Sequence, residues 1–188
     1  MIDLSEHVLT IKHDDGLYRH LVCTKPGTIQ YSFAVTTWPG HLAITGDCGD
    51  YMFRRLPDMF GFFRSESGRI SPDYWSEKLV APRQRAATYY EPARFHACVT
   101  EWFMEAAEGL TADDVDDLWG AVSAILASGA WGESERDARS LAIDFAHKHH
   151  RMRDAWEWNL REFDPQFLNC CHAIVWAVDQ YDKQEVPS

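Results

Sequence analysis

The chain has no long apolar run. No window of its 188 residues approaches the roughly 20 consecutive apolar residues that a membrane-spanning helix needs, so no membrane segment is expected. The first residues carry no basic stretch followed by an apolar one, so no signal peptide is expected and the cytoplasm is the expected location. Cys23, Cys48, Cys98, Cys170 and Cys171 are odd in number, irregularly spaced and free of any CxxC pattern. That usage predicts free, mostly buried thiols in a reducing compartment. The glycine motifs of nucleotide binding, GxxxxGKS/T and GxGxxG, are missing, as is the GxSxG of serine hydrolases. No cofactor is therefore expected, and a binding protein is expected rather than an enzyme.

What the chain does have is apolar and aromatic material. An apolar share of 46% with eight tryptophans is ample for a real core, which excludes a disordered chain. The length fits one domain over residues 1–188. Charge is unevenly placed. Residues 1–90 hold 10 Lys+Arg and 10 Asp+Glu, whereas residues 91–188 hold 8 and 19. The whole imbalance of −11 lies in the second half. Such a surface repels nucleic acid and suits a basic partner, including one built to hold nucleic acid.

The first 56 residues read as β-structure. Val8–His13 and Leu17–Cys23 flank Asp14-Asp15-Gly16, a hairpin signal. Ile29, Tyr31, Phe33 and Val35 alternate with polar or small residues through Thr36, the period of a half-buried strand. Pro39-Gly40 suits a type II turn. His41–Thr45 and Tyr51–Arg55 read as further strands around a turn at Gly46–Asp50. From residue 57 the period turns helical. Leu56–Phe63 reads as a short aromatic helix, and Ser71-Pro72 as an N-cap and first turn. Tyr74, Trp75 and Leu79 would face inward, followed by a loop over residues 81–90. Later helices are predicted from Phe95 through Ala106, after caps at Thr111 and Ser134, over Asp154–Phe163, and from Asp164-Pro165 onward. The tail from Lys183 is expected to fray. Strands followed by helices predict an α+β fold: an antiparallel meander of about five strands packed against a layer of five to six helices, residues 57–188.

Two sets of residues are candidates for function. Glu101, Glu105 and Glu108 form one stripe opposite Phe95, Val99 and Trp102, and Asp113, Asp114, Asp116 and Asp117 crowd the next helix start. They read either as an acidic patch that mimics a phosphate backbone or as a solvated helix surface. The second set is His41, Asp47, Asp50 and Arg55. These polar side chains in a glycine-rich segment could serve as an acid/base or cation site, or simply as a turn whose aspartates bond to local N–H groups. Arg54 or Arg55 could reach inward to Asp47 or Asp58 as an ion pair. His147, His149, His150 and Cys170-Cys171-His172 lack the spacing of a zinc site, and histidines late in a helix suit its C-terminal dipole. No metal is expected.

The run Trp38–Arg64 also carries a resemblance. W-P-G-H-L, T-G-D-C-G and F-R-R-L-P-D-M-F-G-F-F-R, with I-S-P-D-Y-W-S-E-K-L at Ile70–Leu79, resemble a family of uncharacterised accessory proteins encoded by bacteriophages and prophages. The resemblance implies a small protein that acts on host machinery, CRISPR defence included. It carries no functional residues with it. Combined with the acidic second half, it sets the expectation of an inhibitor that binds a basic surface of a host protein complex and does not itself bind nucleic acid. The alternative is a small enzyme or ligand-binding domain at His41, Asp47, Asp50 and Arg55. A homo-oligomer with Trp131 or Trp158 at its interface is a third reading.

Overall fold

The computed structural model describes residues 2–65 and 67–185. The α+β expectation holds: strands lead and most helices follow. The strands are β1 (Val8–Asp15), β2 (Tyr18–Thr24), β3 (Phe33–Trp38), β4 (His41–Gly46), β5 (Tyr51–Arg54) and β6 (Leu79–Ala81). They pair in chain order, each antiparallel to the next. The register stacks Leu9 on Cys23, Leu21 on Val35, Val35 on Ile44, and Ile44 on Tyr51. Because side chains alternate along a strand, this aligns one continuous apolar face.

Three local readings change. The period-two run from Ile29 keeps its phase but β3 begins only at Phe33. Ile29 is 86% exposed, Tyr31 adopts a positive φ, and the Ser32 N–H bonds to Ile29 O. Residues 28–32 are thus a turn, into which the alternation extends by accident. Leu79–Ala81 is a sixth strand, not a helix end running into a loop. It sets Leu79 against Phe53 and Ala81 against Met52. Ser71 stands at the start of its helix, but its side chain makes no capping bond.

The apolar face is covered by α1 (Met59–Phe63), α2 (Pro72–Ser76) and the long α6 (Pro165–Glu185). Phe167, Cys170, Cys171, Ile174 and Val178 of α6 join Leu21, Phe33, Val35, Leu42, Ile44 and Phe53 in one core. Full burial of a Phe, Ile or Val contributes about 1.5–3 kcal/mol each, so α6 is the main cover of the sheet. Residues 183–185 continue α6, and the rest of the tail expected to fray lies outside the described residues.

The remaining helices build a second core among themselves: α3 (Pro92–Ala106), α4 (Ala112–Ser128) and α5 (Glu135–Asp144). Each start is capped by a side chain: Glu91 accepts from the Ala93 N–H, Thr111 from Asp114 and Ser134 from Asp137. Phe95, Val99, Leu118, Val122, Ala138, Ala142, Met152 and Leu160 are buried together. The helix expected over Asp154–Phe163 is not formed. The Arg139 guanidinium takes the carbonyls of Ala155, Trp156 and Trp158 at 2.8–3.0 Å. With those oxygens engaged, only a single 3-10 turn forms, at Ala155–Glu157, before β8 (Arg161–Phe163), which pairs with β7 (Thr88–Tyr90).

Where the sequence reads as one domain with a boundary near residue 56, the chain groups into two compact units. One comprises residues 1–89 and 163–188, the other residues 90–162. In the first of these units α1, α2 and α6 cover the sheet. Among the described residues no helix is long and apolar enough to cross a membrane.

One ion pair organises the first unit. Arg19 on β2 is 10% exposed at its side chain and donates to Asp58 at 2.9 and 3.4 Å. Asp58 in turn accepts from the Phe60 N–H and so caps α1. Arg19 also bonds to the Tyr181 hydroxyl and lies over the Phe60 ring. Burial pushes the Asp58 carboxyl up, but the bonds from Arg19 and the Phe60 N–H outweigh it and hold the group below its ordinary value. Removing one partner of a buried pair costs about 3–5 kcal/mol. Asp58 is 35% exposed, so Arg19→Ala is expected to cost about 2–3 kcal/mol in urea unfolding. Because the Asp58 value is lowered on folding, its stabilisation is present above the ordinary carboxyl range and fades as pH falls through the lowered value. The wild-type advantage over R19A should therefore shrink in acid, read from unfolding midpoints at pH 7 and pH 3.

Candidate functional site

The acidic residues come first from α3 and α4. Phe95, Val99 and Phe103 turn into the core. Their spacing leaves Glu101 and Glu105 on the exposed side of α3, with Glu108 exposed in the turn that follows. On α4, Leu118 and Val122 face in, which exposes Asp113, Asp114, Asp116 and Asp117. Asp113 and Asp114 sit in the first turn, where the helix dipole favours negative charge. Thr111 and Asp114 cap reciprocally: the Thr111 hydroxyl donates to Asp114 Oδ2 at 2.8 Å and accepts from the Asp114 N–H at 3.3 Å.

The structure divides these seven acids into two groups. Asp114 and Asp117 are met by a tight turn at residues 147–150, in which the N–H of His147 and of His150 each bond to the other's carbonyl. Lys148 adopts a φ of 50° there, an uncommon conformation for a non-glycine residue. Its Nζ lies 3.3 Å from Asp114 Oδ1 and 2.9 Å from Asp117 Oδ2, and His147 Nε2 is 2.7 Å from Asp117 Oδ2. The Thr111 hydroxyl and Lys148 hold the Asp114 carboxyl below its ordinary value, and His147 and Lys148 do the same for Asp117. Burial and the neighbouring His149, His147 and Lys148 push His150 down. The histidines stand beyond the end of α5 at Asp144, so the expected pairing with a helix C-terminus does not occur.

Glu101, Glu105, Glu108, Asp113 and Asp116 form no ion pair among the described residues. Glu101 and Glu105 line a groove of about 360 Å³ together with Arg151, Arg153, Trp102 and Trp158. The residues missed by sequence reasoning are therefore Lys148, Arg151 and Arg153. The run His147–Arg153 is the one basic cluster in the acidic half, and that was the available signal.

The second candidate set does not converge. His41 opens β4 and Gly46 ends it, a separation of about 17 Å at the rise of a strand. His41 stacks on Trp38 at 5.1 Å and its Nδ1–H donates to Pro39 O. Arg55 lies at that same end, its N–H bonded to Gly40 O. Asp47 and Asp50 lie at the other end, where Asp50 accepts from the Gly46 N–H at 3.2 Å. Arg54 and Arg55 are exposed. Asp58 is taken by Arg19, and Arg64 pairs with Asp182 at 2.8 Å.

Gly46 explains much of the segment's character. Its φ is 129°, and a Cβ there would stand 2.4 Å from Ser32 O. The Gly-Asp-Cys-Gly run is what a close backbone approach between β3 and β4 requires. Cys170 Sγ donates to Cys48 O at 2.8 Å, and burial raises the thiols of Cys170 and Cys171, the latter to about 12. Protonated thiols are poor metal ligands. Among the described residues no group of three His, Cys, Asp or Glu side chains is placed to hold a metal ion.

Two expectations follow from this geometry. Gly46→Ala should destabilise by about 2–4 kcal/mol through backbone strain and overlap, while Asp47→Ala should stay within about 0.5 kcal/mol, both measured by urea unfolding. Lys148→Ala should raise the titration midpoints of Asp114 and Asp117 toward 3.8, the ordinary value, as read by carboxyl carbon NMR. The sign is fixed by linkage. Depressed carboxyls stabilise the turn above that value and release it as pH falls through the folded midpoints, and K148A removes part of that acid dependence. Unmoved midpoints would refute the contact.

Comparison of the chain with protein-family models, with curated proteins and with solved structures found no match.

Proposed function

We propose that the protein is a phage-type accessory protein that binds and inhibits a host protein complex through the acidic face of its helical unit. The observation that carries this reading is the charge of that face. No Lys or Arg lies between Arg94 and Arg136, and α3, α4 and their connecting turn hold Glu101, Glu105, Glu108, Asp113 and Asp116 exposed. Residues 90–162 contain 15 Asp+Glu against seven Lys+Arg, a net of −8 out of the chain's −11. A surface of this kind is complementary to a groove that holds a phosphate backbone, steers toward it, and repels nucleic acid. The partner that fits is a host protein with a basic, nucleic-acid-binding surface, such as a defence complex. No catalytic step is invoked.

The test is capture from a bacterial host lysate with wild type and with the E101K/E105K/E108K variant, checked for native circular dichroism. Wild type is expected to retain a nucleic-acid-handling complex, with retention falling at least about tenfold between low and moderately high salt. Added duplex should compete. The variant is expected to lose that complex. Equal retention by both proteins sinks the acidic-face reading.

A further inference from the structure

We propose that a groove along α5 is a docking site for a basic amphipathic helix of a partner protein. The groove has a volume of about 540 Å³ and is open to solvent. Its floor is apolar: Ile125 and Leu141 are half-buried and Phe145 is buried. Its rim carries three carboxylates, Glu133, Asp137 and Asp144, and no Lys, Arg or His lines it. Only Asp137 has work within the fold, as acceptor of the Ser134 hydroxyl at 2.6 Å. Glu133 and Asp144 make no hydrogen bond or ion pair among the described residues.

Asp144 is the more informative of the two. It is the last residue of α5, where the helix dipole already accumulates negative potential and disfavours a carboxylate. Among the described residues it caps nothing and pairs with nothing. A cation arriving from outside would meet both the carboxylate and the dipole.

The spacing defines the occupant. Asp137 and Asp144 are seven residues apart on one helix, about 10.5 Å along its axis. Leu141 of the floor lies between them in sequence, and Phe145 follows Asp144 directly. A helix with Lys or Arg at positions i and i+7 and apolar residues at i+3 and i+4 places its charges on the two aspartates and its apolar side chains on the floor. A short diammonium compound would reach both carboxylates but leave the floor wet. The groove shares no residue with the α3–α4 face, so the two readings stand or fall separately.

The probes are two synthetic peptides of about 16 residues, roughly four helical turns, with identical composition. One has the i, i+3, i+4, i+7 pattern and the other is permuted. Binding is followed by fluorescence anisotropy. The patterned peptide should bind at least about tenfold more tightly than the permuted one, and D144K and E133K should each weaken it by about threefold or more. The E101K/E105K variant should leave its affinity unchanged. Equal binding of the two peptides overturns the proposal, because charge alone then suffices. So does binding that ignores D144K and E133K. Full displacement by spermidine, with the same sensitivity to D144K, assigns the groove to a small polyamine and overturns the helix as occupant.

Discussion

Arg19 is the point on which the sheet-containing unit turns. Its guanidinium joins three parts of the chain that sequence keeps far apart: β2, the cap of α1 at Asp58, and Tyr181 near the end of α6. Tyr181 extends the network by donating to Asp14 Oδ2 at 2.8 Å. A charge this buried is costly unless its donors are satisfied, and here two carboxylate oxygens, a hydroxyl and two aromatic faces satisfy it. Apolar burial supplies the bulk of the stability. The Arg19 network supplies direction, because its bonds tie β2, the start of α1 and the end of α6 to one another.

The helical unit solves a different problem. Seven carboxylates on two helices and the turn between them repel one another, and like charges one turn apart weaken a helix. The chain relieves this in three ways. Thr111 bonds to Asp114, the α4 dipole favours the acids in its first turn, and Lys148 with His147 meets Asp114 and Asp117 from a distant turn. The relief is incomplete. Compensation reaches Asp114 and Asp117 and leaves Glu101, Glu105, Glu108, Asp113 and Asp116 with their charge directed at solvent.

The legibility of this fold followed the range of the interactions. Hairpins with a decisive turn residue, such as Gly16 and Pro39-Gly40, could be read from a few neighbouring residues, and so could helix starts capped at Thr111 and Ser134. Failures came where a distant group intervened. The segment Asp154–Phe163 reads as a short helix, yet Arg139 claims the carbonyls of Trp156 and Trp158 that a helix would use. Leu79 looks like an inner helix residue until Phe53 is available as a strand partner. The acids of the candidate face were legible because exposure and charge are local properties. Their pairing was not, since Lys148 lies 34 residues from Asp114 and only folding brings them together.

The glycine-rich block from Trp38 to Arg64 illustrates why local density of polar and aromatic residues is a poor guide to function. Several of the unusual residues there have a structural task. Gly46 admits the Ser32 carbonyl, Asp50 binds the Gly46 N–H, Asp58 caps α1 and receives Arg19, and Phe60 and Phe63 fill the core under α6. A catalytic set requires side chains that point to one place, and β4 holds His41 and Asp47 at opposite ends. Glu101, Glu105, Asp113 and Asp116 of α3 and α4 and Asp144 of α5 are the reverse case. They are ordinary in sequence, and no side-chain bond among the described residues accounts for them. Function is better sought where charge is left without an internal partner than where unusual residues are densest.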